Sequence, residues 1–209
     1  MAYRFLFLLW LGVSGVSFAQ SFRGGVCGGL SVTQLSGDNL AGFNKPGALW
    51  GPFVYLEPSA RLRVELQMLH FMKGSFDAAR PDKGDFSSYS LTLHYVEMPL
   101  MLRYFYKGLW IGGGVSGGYL ASWKVKNQDG AFPAASPESR DFKPFELSGN
   151  LSMIWPLNQR MEIEVRANQS LLPVRNHLGN VVFRLNRGQY NTALGACLRF
   201  MLGNGGAEQ

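Results

Sequence analysis

Cysteine occurs only twice in these 209 residues, charged side chains make up only 16%, and beyond the first 19 residues no apolar run approaches the ~20 that a membrane-crossing helix needs. So few cysteines exclude a disulfide-stapled scaffold, and the scarcity of helical periodicity excludes a coiled coil or helix bundle. There are three histidines, His70, His94 and His177, and they lack metal-ligand spacing, so neither a metal site nor another cofactor is expected. What the chain does have is 46% hydrophobic residues, 26 Gly, 15 Phe, 8 Tyr and 5 Trp, with a formal charge of +6. Glycine and aromatics in such excess over charge suit a β-protein that meets an apolar solvent. Nothing in the pattern suggests a nucleic-acid partner.

The N-terminus reads as a targeting segment. Arg4 is followed by the apolar run Phe5 to Val13 and then by Ser17-Phe18-Ala19, small residues where a signal peptidase cuts. The expected organisation is therefore a cleaved signal peptide, 1–19, and one exported domain, 20–209.

Period-two alternation runs through that domain. Phe145, Leu147, Leu151, Met153 and Trp155 alternate with Glu146, Ser148, Asn150 and Ser152. Likewise Met161, Ile163 and Val165 alternate with Glu162, Glu164 and Arg166, and Leu62, Val64, Leu66 and Met68 with Arg63, Glu65 and Gln67. The pattern predicts eight strands, over 23–35, 48–57, 61–73, 88–106, 109–126, 142–155, 160–172 and 188–202. Their connections alternate between tight turns (57–60, 107–108, 156–159) and long loops rich in Gly, Pro, Asn and charge (36–47, 74–87, 127–141, 173–187). Short turns at one end and long loops at the other predict an all-β, eight-stranded antiparallel up-and-down transmembrane barrel, with its turns in the periplasm of a Gram-negative cell.

Cost decides which face meets lipid, because Arg or Lys on the lipid face near the bilayer midplane costs about 2–4 kcal/mol. The charged face is then the lumen, which in an eight-stranded barrel is only wide enough for its own side chains. Arg63, Glu65, Glu97, Arg103, Glu146, Glu162, Glu164, Arg166 and Arg199 are expected there as a packed ion-pair network. A soluble barrel with its apolar face inward around a ligand shares the strand count, but would bring many aromatics into water. Tyr104, Tyr106, Trp110, Trp155 and Phe200 fall near the turns and Tyr89, Tyr119, Trp123 and Tyr190 near the loops, as two interfacial girdles. In the fourth strand the apolar parity passes from Leu91, Leu93, Tyr95 to Val96, Met98, Leu100. A β-bulge near Tyr95-Val96 would account for that and keep His94 and Glu97 both inward.

The run Tyr95-Val96-Glu97-Met98-Pro99-Leu100-Met101-Leu102-Arg103-Tyr104 resembles the corresponding strand of PorT-like outer-membrane β-barrel proteins. Lys45-Pro46-Gly47 through Tyr55, Arg61 through Leu66, and Gly112-Gly113-Gly114 through Leu120 are similar to further strands of that family. The resemblance implies an outer-membrane barrel associated with type IX protein secretion, with secretion-machinery subunits among its partners besides outer-membrane lipid and lipopolysaccharide. The thinness of catalytic signals in the residues themselves points to a non-catalytic role. A small barrel enzyme, with His70, His94, Asp77 or Asp85 at its outer rim, or a lipopolysaccharide-binding or adhesion barrel, is the alternative.

Other candidates stand apart from the network. Gly114-Val115-Ser116-Gly117-Gly118 matches G-x-S-x-G, but it lies inside a glycine-rich strand and lacks the strand-to-helix turn that a nucleophile elbow requires. Arg175, Arg184 and Arg187 fall in an outer loop as candidate clamps for lipopolysaccharide phosphates or an acidic partner. Cys27 and Cys197 face inward on the first and last strands. Closure would make them neighbours able to form a disulfide, and a one-pair slip of register would leave two packed thiols.

Overall fold

The computed structural model describes residues 22–37, 42–79, 82, 86, 88–127, 130–131, 142–175 and 188–202. The signal segment, the tail beyond Leu202 and most of the long loops, with Asp85, His177, Arg184 and Arg187, lie outside the described residues. The described residues form ten strands: β1 (Arg23–Ser36), β2 (Lys45–Ser59), β3 (Leu62–Gln67), β4 (Leu69–Asp77), β5 (Tyr89–Tyr106), β6 (Leu109–Asn127), β7 (Gly130–Ala131), β8 (Phe145–Pro156), β9 (Met161–Ser170) and β10 (Tyr190–Leu202).

They make eight staves. β3 and β4 are one stave, since Phe53↔Gln67 and Trp50↔His70 keep a single register against β2. The ladder lapses at Met68, whose amide donates to Pro52 O at 3.0 Å, and shifts register by one between Leu56 and Ser59 at the turn. Pro52 has no N–H with which to return the bond. β7 is a two-residue stub on β6. Each stave pairs antiparallel with its neighbours in the chain, and β1 pairs with β10 from Gly24↔Leu202 to Ser36↔Tyr190, so the sheet closes on itself and presents no open edge.

Alternation fixes inside and outside. Along β8 the residues Glu146, Ser148, Asn150 and Ser152 are buried while Phe145, Leu147 and Leu151 are exposed, Leu151 at 69%. β9 repeats this with Glu162, Glu164 and Arg166 inward and Ile163 and Val165 outward. The turn between β5 and β6 has the two residues that a tight hairpin prefers, Lys107 (φ 48°) and Gly108 (φ 86°), both left-handed.

Two sequence expectations about orientation are corrected. β5 keeps one parity throughout, with Leu91, Leu93, Tyr95, Glu97, Met101 and Arg103 all inward, so His94 faces outward and not into the lumen. The register shift is real but lies in β6, where His94↔Ser122 is followed by Tyr95↔Leu120, leaving Ala121 as the extra residue. The girdles also change membership. Tyr104, Tyr106, Trp155 and Phe200 are exposed near the turns, but Trp110 is buried inside. Near the loops Tyr119 is exposed, whereas Tyr190 is buried and Tyr89 and Trp123 pack on an internal cluster. Trp50 and Phe145 take their places outside.

Candidate functional site

The lumen is the one place where this fold gathers chemistry-bearing side chains from every side. Nearest the turns, Arg63 pairs with Glu57 and Glu162, both at 2.9 Å, and its guanidinium lies 4.2 Å over the Tyr55 ring and 4.3 Å over that of Trp110. Trp110 is drawn inside by this cation, a preference its position in the alternation could have revealed. Above it Arg199 forks to three carboxylates, Glu65 (2.7 Å), Glu162 (2.9 Å) and Glu164 (2.7 Å). Arg103 bridges Glu65 (2.8 Å) and Glu164 (2.9 Å), and Arg166 pairs with Glu164 at 2.8 Å and donates to Gln67 Oε1 at 2.7 Å.

A second knot follows toward the loops. Lys73 is fully buried and its ammonium reaches Glu97 (2.5 Å), Glu146 (2.8 Å) and Asn168 Oδ1 (2.7 Å). Asn191 donates to the other oxygen of Glu146 at 2.7 Å. Asn168 donates to Asn150 and Asn150 to Ser116, whose hydroxyl donates to Glu97 at 3.4 Å. All nine residues expected in the lumen by alternation are buried there and joined to one another or through Lys73. Lys73 escapes the alternation signal because Phe71 and Ser75, its neighbours on the same face, are uncharged.

The buried charges balance. Arg63, Lys73, Arg103, Arg166 and Arg199 stand against Glu65, Glu97, Glu146, Glu162 and Glu164, five of each sign among the described residues. Closed ion pairs with no net field are what a packed interior tolerates, since an unpaired buried charge is strongly destabilising.

Apolar clusters complete the filling. Cys27, Leu49, Phe53, Leu69, Phe71, Ala193 and Cys197 pack on one wall. Toward the loops Leu35, Leu91, Leu93, Tyr95, Val125, Phe142 and Val174 form a plug, with Trp123 edge-on to Phe142 at 5.6 Å. Arg175 belongs to this lid: its guanidinium lies 4.6 Å over Phe142 and its Nε donates to Gln189 at 2.9 Å.

Of the two alternatives for the cysteines, a bridge or packed thiols, the structure has the packed thiols. Both are buried and inward, but Cys27 pairs with Arg199 and Cys197 with Gly29, an offset of two residues along the seam. The Cys27 thiol donates instead to Gly51 O at 3.4 Å. Ser116 is buried in the lumen between Glu97 and Asn150, and among the described residues no histidine reaches it. His70 and His94 lie together on the outer face, Nε2 to Nδ1 3.2 Å, and among the described residues no group of three or more His, Cys, Asp or Glu could hold a metal.

Residues 18–176 match the model of the family described as outer membrane protein beta-barrel domain. No curated protein matches the sequence. Among solved structures the chain is similar to Ail, the attachment invasion locus protein of Yersinia pestis, with TM-score 0.53 and 10% identity over 86% of this chain and 98% of that one. It is also similar to neisserial surface protein A (TM-score 0.48, 8% identity, 88% and 99% covered) and to CarO of Acinetobacter baumannii (TM-score 0.45, 8% identity, 84% and 97% covered). At such identity the likeness to Ail speaks for the fold alone.

Proposed function

Because this chain belongs to the outer membrane protein beta-barrel domain family, and so resides in the bacterial outer membrane, we propose that it is a non-catalytic, non-conducting barrel that serves as a rigid base for partner-docking loops. The observation that carries this reading is the lumen, which among the described residues is packed from the Arg63 end to the Phe142 plug by balanced ion pairs and apolar side chains. In such barrels the short turns lie in the periplasm and the long loops outside, so the working surface is the loop end. Export through cleavage of the segment 1–19 is part of the same proposal.

The finer reading rests on the Tyr95–Tyr104 motif and its resemblance to PorT-like barrels: the partner is a subunit of the type IX secretion machinery. The second reading, an adhesion or lipopolysaccharide-binding barrel, draws on the basic loop. There Arg175 is already committed to Phe142 and Gln189, leaving Arg184 and Arg187 as its clamps. Recovery from outer membranes under mild detergent tests both. Co-purification of secretion-machine subunits supports the first, while lipopolysaccharide retained in a manner that depends on Arg184 and Arg187 supports the second. In planar bilayers the refolded protein should give no stepwise conductance, and steady open-channel currents would overturn the closed-lumen reading.

A further inference from the structure

The outer wall changes character along a sharp line. On β5 the outward residues Tyr104, Leu102, Leu100, Met98 and Val96 are apolar, and then come His94, Thr92 and Ser90. On β6, Ile111, Val115 and Tyr119 give way after the Ala121 bulge to Ser122, Lys124 and Lys126. The two changes sit side by side, since His94 pairs with Ser122, Thr92 with Lys124 and Ser90 with Lys126. From Tyr104 to Thr92 is about 40 Å of strand, which at the usual tilt of ~40° rises about 30 Å, just more than the ~25 Å apolar band of an outer-membrane barrel. This rung is therefore at the headgroups of the outer leaflet.

Cations converge there. Lys124 and Lys126 are exposed, and Lys143 is exposed two residues beyond Phe145, which pairs with Tyr119 on the adjoining stave. The Lys45 ammonium donates to Ser90 Oγ at 2.9 Å. His94 and His70 extend the patch onto β4, 3.2 Å apart, with Trp50 against His70 at 5.4 Å. Among the described residues no ion pair engages Lys124, Lys126 or Lys143, and Asp77, on the last rung of β4, is the only acid that β4, β5 and β6 carry at this end. The opposite wall at the same level differs. There Gln34, Ser36, Thr192 and Gln169 are neutral and bonded to one another.

We propose that this face, Lys124, Lys126 and Lys143 with the hydroxyls of Ser90, Thr92 and Ser122 between them, is a binding site for the phosphorylated sugar headgroup of an outer-leaflet glycolipid. Lysines supply point charges to phosphate, the hydroxyls bond sugar and phosphate oxygens, and Tyr119 and Phe145, ring centroids 5.5 Å apart, border the acyl chains just below. The site needs only the outer-membrane placement and is independent of the docking role of the loops.

The test is native mass spectrometry of the full refolded chain in detergent, titrated with bisphosphorylated lipid A, its monophosphorylated form, phosphatidylglycerol and, separately, Zn2+. Bisphosphorylated lipid A should be retained most strongly. Removing three cations, each worth about fivefold at a membrane surface, should weaken it roughly 100-fold in Lys124→Gln/Lys126→Gln/Lys143→Gln. The turn-end control Arg61→Gln/Lys107→Gln/Arg160→Gln, equal in charge, should bind as the parent does. Should the first triple variant fail to fold, the parent decides alone: its affinity must fall with added salt and with loss of one phosphate. Equal retention of phosphatidylglycerol, an equal loss in the control, or no dependence on phosphate count would overturn the proposal. So would Zn2+ binding that His70→Gln abolishes and that displaces the lipid, since the patch would then be a metal site.

Discussion

At the scale of single residues the lumen works by mutual satisfaction. Arg103, with no exposed surface, holds Glu65 and Glu164 at once, so Arg103→Ala takes one guanidinium from each and leaves the buried network one positive charge short, with Arg199 and Arg166 still paired to them. Loss of one partner of a buried pair costs about 3–5 kcal/mol. The heat-modifiable transition of Arg103→Ala or Glu65→Ala should fall well below that of the parent, and that of Leu151→Ala, whose side chain meets lipid, should move little. Equal shifts in thermal denaturation would contradict the assignment of inside and outside. The thiols give a second check. Protein alkylated under denaturing conditions without reduction should carry two adducts by intact mass, because the seam register holds Cys27 opposite Arg199.

Elements show what the sequence could and could not tell. The staves were legible because lumen and lipid differ so strongly in what they accept: β3, β8 and β9 alternate polar or charged with apolar side chains along most of their length, inward Ile154 and outward Gln169 aside, and their inward sets are buried as the alternation implies. β5 misled for a physical reason. Its backbone does not change face, but its surroundings do. Above Val96 the outside is headgroup and water and the inside is an apolar plug, so Ser90, Thr92 and His94 belong outside and Leu91 and Leu93 inside. A parity switch in sequence thus has two sources, a bulge or an exchange of environments, and only pairing partners tell them apart. The plug likewise explains why Tyr89, Trp123 and Tyr190 are not girdle residues. The true bulge, at Ala121, is hidden in the sequence because β6 has five glycines, which carry no facing signal. Deleting Ala121 should close the bulge into an unbroken ladder and leave Lys124 outward and Trp123 against the plug. Hydrogen exchange in the upper halves of β5 and β6 should then be no faster than in the parent, and acceleration there would contradict the assignment of Ala121 as the extra residue. Accessibility tests the direction of the staves: Phe86→Cys should react with an impermeant thiol reagent on intact cells, and Lys107→Cys only after the envelope is breached.

For the whole molecule the decisive contact is the seam, where thirteen residue pairs join β1 to β10. Its partners are the first and last staves of the chain, separated by up to about 178 positions, from Gly24 to Leu202. Antiparallel neighbours elsewhere assemble as local hairpins, whereas this one can form only when the entire domain has been made. Until then β1 and β9 would each offer a row of bare amides to hydrocarbon, where an unsatisfied group costs several kcal/mol. Removal of 190–202 should accordingly abolish the heat-modifiable species rather than merely lower its melting point. Assembly of this barrel is thus a ring-closure problem: a partly zipped curve of seven staves has no resting place in the bilayer, and the rate of maturation is set by how soon two chain ends meet, a search whose cost rises with contact order.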